Sequence, residues 1–212
     1  MGTRISLSAQ EIAVRLATLN QPDTDQANLE FPSLREILTG EPRPAAVLIP
    51  LLIDNGVWHI LYTRRNADLP EHSGQVAFPG GRADPDDPSP EATALREAWE
   101  EIGIHPEDVK ILGKLPKFLT ITNYLVQPVV GQIPWPYPVL PARDEVSRIF
   151  TIPLNWLADP RNREERQRAL PAPFAPVSVI YYKEYDGELL WGASARFTVT
   201  FLNILTGNGS LK

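Results

Sequence analysis

Residues 80–104 read GGRADPDDPSPEATALREAWEEIGI, and the reading of this stretch decides how the rest of the chain is understood. Ser89 followed by Pro90 has the form of a helix start, with a hydroxyl N-cap and proline at the first helical position. Gly103 supplies the left-handed residue that commonly ends a helix. The spacing predicts a helix over 90–102. On it Glu97, Glu100 and Glu101 fall three and four residues apart, so their carboxylates share a face and repel one another. Arg96 can pair with Glu100, but one cation does not neutralise three anions. Just upstream, Phe78-Pro79-Gly80-Gly81 brings backbone close, because glycine has no Cβ. Carboxylates plus a glycine carbonyl make an all-oxygen ligand set, which suits hard divalent cations such as Mg2+ or Mn2+. Such an ion points to attack of water on a phosphoanhydride.

Working upstream, AAVLIPLLI at 45–53 and VWHILYT at 57–63 flank Asp54-Asn55-Gly56, a strong hairpin signal. QVAFPGG at 75–81 reads as a short strand ending in two glycines. Ser8 and Glu11 have capping-box spacing before Ile12, Leu16 and Leu19, which predicts an N-terminal helix through about Leu19. Residues 20–43 are polar and turn-rich, a connector. Downstream, strands are expected at 109–115, 124–133, 146–152 and 177–183. The last of these is followed by an Asp186-Gly187 turn and a partner strand ending at Trp191. A closing helix is expected from Ala193 to about Leu205. QIPWPYPVLPARD at 132–144 is an extended, proline-rich loop placed to border a site, where Trp135 or Tyr137 can contact a base. The outline is α/β: a mixed sheet in an α/β/α sandwich with an N-terminal helical extension. Residues 1–43 form the helix and connector, and 44–212 the catalytic domain.

Composition narrows the function classes. A formal net charge of −6 argues against nucleic acid or an anionic membrane as a partner. The absence of cysteine removes disulfides, thiolate metal sites and cysteine nucleophiles together. No apolar run of the roughly 18 residues needed to span a bilayer is present, and the start has no signal-peptide core, so the cytoplasm is the expected location. The expected partner is a small molecule carrying a phosphoanhydride, and a homodimer is a permitted assembly.

Taken with its flanks, 80–104 resembles the signature box of the Nudix hydrolases. Arg96, Glu97, Glu100, Glu101, Gly103 and Ile104 fall on positions of that pattern. The separation of Gly81 from Arg96 is one residue longer than the pattern, so its first acidic position falls on Asp87 or Pro88. Ala98 stands where a larger residue is usual. The resemblance implies that Glu97, Glu100 and Glu101 bind the divalent cations, that Gly81 offers its carbonyl, and that Arg96 orients the carboxylates. LYTRRNADLPEHSGQVAFPGG at 61–81 is similar to the additional motif of the coenzyme A pyrophosphatase branch, with Thr63, Arg65, Gly74 and the Phe78-Pro79-Gly80-Gly81 run in place. Asn66 and Pro70 depart from it. EVSRIFTIPLNWL at 145–157 and LLWGASARF at 189–197 also resemble that branch.

The resemblance implies a hydrolase that splits coenzyme A or its thioesters into 4′-phosphopantetheine and 3′,5′-adenosine bisphosphate. Arg64, Arg65, His72, Gly74 and Gly80 are the candidate substrate contacts. Glu145 resembles a position of a further acidic residue, an extra base or ligand. A second reading changes the substrate to ADP-ribose, a dinucleotide or a nucleoside triphosphate. A third keeps the fold and makes it a non-catalytic nucleotide-binding module.

Overall fold

Asn55 and Gly56 both adopt positive φ, 48° and 76°. This mirror-image turn has the twist that matches two paired strands, so the chain folds back on itself there. It joins β2 (Arg43–Asp54) to β3 (Val57–Arg65), paired from Asp54↔Val57. The computed structural model describes residues 5–18, 28–29, 38, 40–68, 73–170 and 176–207. His72, Leu19 and most of the expected connector lie outside the described residues.

The other elements are α1 (Ala9–Ala17), β1 (Asn28–Leu29), β4 (Val76–Ala77), β5 (Gly80–Arg82), α2 (Pro90–Ile102), β6 (Lys110–Lys114) and β7 (Phe118–Leu119). They continue with β8 (Tyr124–Gln132), β9 (Val146–Pro153), α3 (Leu154–Ala158), β10 (Arg163–Arg168), β11 (Val177–Tyr182) and α4 (Gly192–Thr206). The main mixed sheet runs β1-β7-β8-β2-β3-β4, with β5 also on β2, β6 on β8 and β9 on β3. β2 is central and lies parallel to β8. It is antiparallel to β5 over residues 45–47 and to β3 from Leu51 onward. Pro50 has no N–H to donate, and it falls where β2 changes partner between these two strands.

Because β2 is covered on both sides, its apolar run divides by alternation between two cores. Ile49 and Leu51 join Ile60, Tyr62, Phe201 and the inner face of α1. Ala46, Leu48 and Leu52 meet Leu61 and the inner residues Ala94, Ala98 and Ile102 of α2. This is the α/β/α sandwich. The N-terminal helix is part of it, since Ile12 and Leu16 are buried in the first core and Ser8 and Glu11 close a reciprocal capping box. β1 also joins the main sheet through β7.

Two expectations change. The predicted strand ending at Trp191 is reduced to isolated bridges, Tyr185↔Glu188 and Tyr181↔Trp191, around the Asp186-Gly187 turn. The ladder partner of β11 is instead β10, paired from Arg163↔Tyr182 to Arg168↔Val177. The stretch expected as one strand at 75–81 is broken at Phe78-Pro79. Its first part pairs with β3 and its second with β2, so it crosses between the two strands where they part.

Candidate active site

The acidic helix forms where the sequence places it. The Ser89 hydroxyl accepts from the Ala92 N–H at 3.2 Å, and Gly103 closes the helix at φ 70°. Its inner face is fixed by Ala94, Ala98 and Ile102, which leaves Glu97 and Glu101 facing β5 and the end of β3. Glu101 is 4% exposed. Burial pushes its carboxyl up to about 8. Arg65 at 3.8 Å and the Gly80 N–H partly offset that, whereas Glu97 and Glu145 reinforce it. Glu97 is also raised, again mainly by burial, with Arg96 opposing and Glu100 and Glu145 adding. Glu100 is outermost, with half of its side chain exposed.

Arg96 ties this face together. Its guanidinium donates to Glu100 at 2.9 Å, Asp87 at 3.0 Å and the Arg82 carbonyl at 3.0 Å, and pairs with Glu97 at 3.0 Å. Asp87, at the displaced first acidic position, accepts from Arg96, from the Asp84 N–H and from the Thr93 hydroxyl. Arg96 first, then those lesser donors, hold the Asp87 carboxyl down at about 2. Asp87 therefore fixes the loop before the helix.

Glu145 reaches the cluster by a backbone route. Leu140 N–H donates to the Ile102 carbonyl at 2.9 Å and Ala142 N–H to the Glu101 carbonyl at 2.8 Å. The Glu145 N–H then donates to Ala142, and its carbonyl accepts from Asn66. As the side chains lie, no three His, Asp or Glu among the described residues stand at ion-holding spacing. The chemistry of the set nevertheless fits a cation. Half-buried Glu97 and buried Glu101, on adjacent turns, are both costly to ionise and are made more so by neighbouring carboxylates, Glu100 and Glu145 for the first, Glu97 and Glu145 for the second, and they lose that penalty when positive charge arrives. Gly81 also leaves room for the Glu97 carboxylate, because a Cβ there would stand 2.6 Å from Oε1.

Beside the carboxylates lies a cavity of about 470 Å3. Gly80, Gly81 and Arg65 line the end next to Glu97 and Glu101. Tyr124, Arg168, Trp191 and the first turn of α4 contribute to the rest. A bulge between Arg64 and Arg65 in the β3–β9 ladder aims the two arginines differently. Arg65 lines the cavity, and its buried Nε has no hydrogen-bond partner among the described residues. The structure does not bring Arg64 there: it donates to Ser147 at 3.0 Å and pairs with buried Glu188 at 3.4 Å. Gly74 turns the chain before β4 at φ 66° without lining the cavity.

The proline-rich loop supplies none of the lining either. Trp135 and Tyr137 pack against the second core, and the Tyr137 hydroxyl donates to Asp108 at 2.7 Å. The residues missed from sequence are Arg82, Tyr124, Arg168 and Trp191. Trp191 lies within LLWGASARF, which was the available signal. Arg168 had none, since its strand lacks apolar alternation.

Residues 42–173 match the NUDIX domain family. An uncharacterized Nudix hydrolase, NudL, of Pectobacterium atrosepticum is 39% identical over 172 residues, covering 77% of this chain and 82% of that protein. A peroxisomal coenzyme A diphosphatase of Mus musculus is 38% identical over 122 residues, covering 58% of this chain and 52% of that protein. The crystal structure of a MutT/nudix family protein from Enterococcus faecalis superposes with a TM-score of 0.52 at 15% identity, covering 96% of this chain and 76% of that one. That last likeness concerns the fold alone.

Proposed function

The chain belongs to the Nudix family of hydrolases, and from that premise we propose that it cleaves the diphosphate of coenzyme A or its thioesters into 4′-phosphopantetheine and 3′,5′-adenosine bisphosphate, acting in the cytoplasm. The observation that carries the reading is the cavity bearing Arg65 and opening beside half-buried Glu97 and buried Glu101. The likeness to the mouse coenzyme A diphosphatase supports the choice of substrate. Residues 44–212 are assigned the hydrolase, with 1–43 as an N-terminal extension whose helix α1 packs on it through Ile12 and Leu16.

In this reading Glu97, Glu100 and Glu101, with the Gly81 carbonyl, hold Mg2+ or Mn2+. Bound there, the ion supplies charge neutralisation at the diphosphate and a more acidic water. Arg96 holds the orientation of Glu97 and Glu100, and Asp87 keeps Arg96 in place. Arg65, which lines the cavity, offers its guanidinium to a phosphate oxygen, a charge-assisted bond stronger than a neutral one. The Gly80 N–H holds the Glu101 carboxylate. Glu145, whose charge helps raise both carboxyls, is assigned the proton of the attacking water or a further ligand position.

A second reading, hydrolysis of ADP-ribose, NADH or another nucleoside diphosphate derivative, is favoured by Asn66 and Pro70. Asn66 fills the place of a small residue and spends its side chain on the Arg143 carbonyl at 3.0 Å. The test is kcat/KM for coenzyme A, dephospho-coenzyme A, ADP-ribose and NADH, each with and without Mg2+ or Mn2+. Coenzyme A hydrolysis that stops on chelation supports the first reading. A preference of about tenfold or more for ADP-ribose or NADH replaces it with the second.

A further inference from the structure

In a chain of net charge −6, the cavity beside the acidic helix is lined, among the described residues, by three arginines and no carboxylate. Arg65 and Arg82 belong to the end next to Glu101 and Gly81, where a scissile diphosphate lies in the reading above. Arg168 does not. It comes from β10, in the second sheet, and its guanidinium sits over the Trp191 ring, 5.7 Å from the centroid. Trp191 is itself stacked on Tyr181, 5.4 Å away and nearly parallel, so the arginine is carried on a rigid aromatic pair. Among the described residues neither Arg82 nor Arg168 has a carboxylate partner. A cation held over a cavity without a counter-ion attracts an anion more strongly than an ion-paired one does. At about 470 Å3 the cavity also falls in the range that holds a whole small-molecule ligand, more than a diphosphate alone needs.

We propose that Arg168 is a specificity-determining residue that receives a second, non-scissile phosphate of the substrate, a phosphomonoester on the nucleoside, while the diphosphate lies at the Arg65 end. The inference rests on the diphosphatase reading and deepens it. The ligand class is a nucleoside diphosphate ester that carries an additional phosphomonoester, as coenzyme A does and dephospho-coenzyme A does not.

The test separates this from the hydrolytic reading by measuring binding without turnover. In EDTA, the dissociation constants of adenosine 3′,5′-bisphosphate and adenosine 5′-monophosphate are compared by calorimetry for the wild type, Arg168→Ala and Arg168→Lys. The wild type should bind the bisphosphate about tenfold or more tightly than the monophosphate, the scale of one charged hydrogen bond. Arg168→Ala should abolish that preference with monophosphate affinity nearly unchanged, and Arg168→Lys should keep part of it. Equal affinities in the wild type, or a preference that survives in Arg168→Ala, overturns the proposal even if coenzyme A is hydrolysed. A preference that vanishes in Arg168→Ala supports it even if the hydrolysed substrate is a different phosphorylated dinucleotide.

Discussion

A Cβ on Gly81 would stand 2.6 Å from Oε1 of Glu97, so the bare glycine is what gives this carboxylate its seat. Its neighbour Gly80 is constrained differently. There a Cβ would meet the Ala46 carbonyl oxygen at 2.4 Å and the Val47 Cα at 2.5 Å, and φ is 156°. A carboxylate tip can swing away, whereas strand backbone cannot. Gly81→Ala should therefore melt close to wild type and lose most activity with its displaced Glu97. Gly80→Ala should lose about 2 kcal/mol or more of stability. Melting curves beside turnover rates check both; equal damage to stability in the two variants would contradict this account.

Glu101→Gln should fold normally and lose activity by about a hundredfold or more, because size is kept while a ligand charge or base is removed. A near-normal rate would remove Glu101 from the mechanism.

The same substitution has a signature in the metal-free protein. Burial raises the Glu101 carboxyl to about 8, above its unfolded value. The stabilisation from its protonated form is fully present below the unfolded pKa, near 4.5, and is lost as pH rises through 8. Without metal, the melting temperature should fall by several degrees between pH 6 and pH 9, and Glu101→Gln should flatten that fall. Adding millimolar Mg2+ or Mn2+ at pH 9 should restore wild type more than the variant, since an ion that binds only the folded carboxylates stabilises by mass action. Thermal scans at the two pH values decide it.

Asp87 works in the opposite direction. Arg96 and lesser donors hold its carboxyl down at about 2, below its unfolded value of 3.8. Its contribution is present above 3.8 and disappears as pH falls through 2. Asp87→Asn should cost about 1–3 kcal/mol at neutral pH, and the variant should show a shallower loss of stability between pH 4 and pH 2. Urea unfolding across that range measures it.

Arg65 pairs with Glu101 through Nη1 and keeps further N–H donors for a substrate phosphate. Arg65→Ala should lower kcat/KM by about tenfold or more. It should also move the Glu101 titration further upward, because the nearest compensating cation is gone. A variant with an unchanged pH–rate profile would show that the pair at 3.8 Å has no bearing on the carboxylate.

Signals that act within a few residues were legible in the sequence. The Asn55-Gly56 hairpin, the Ser8 capping box, and the helix between Ser89 and Gly103 each rest on local backbone chemistry, and each forms as expected. Strand β10 was not legible. Its REERQR has no apolar alternation, and it is held by pairing with β11 and by Arg166 over Tyr181, 4.6 Å from the ring centroid. The separation of Arg64 from Arg65 follows from strand alternation sharpened by a bulge, so naming both adjacent arginines as substrate contacts left out a known period. Arg168 and Trp191 reach the cavity only because the second sheet and the start of α4 fold over it, a tertiary fact that no short motif carries.

The hydrogen bonds from Leu140 and Ala142 to the carbonyls of Ile102 and Glu101 bear on how this protein can vary. The chain re-enters the site at a position set by the end of the acidic helix, so its path from Ile133 matters little to where Glu145 stands. Trp135 and Tyr137 still tie the loop to the second core, so insertions and deletions in descendants are confined to its exposed positions, such as Pro134, Pro136 and Pro138, while the spacing from Leu140 to Glu145 stays fixed. Those exposed positions are free to diversify, as surface loops do, and a new partner or regulatory segment can be acquired there without retuning the carboxylates.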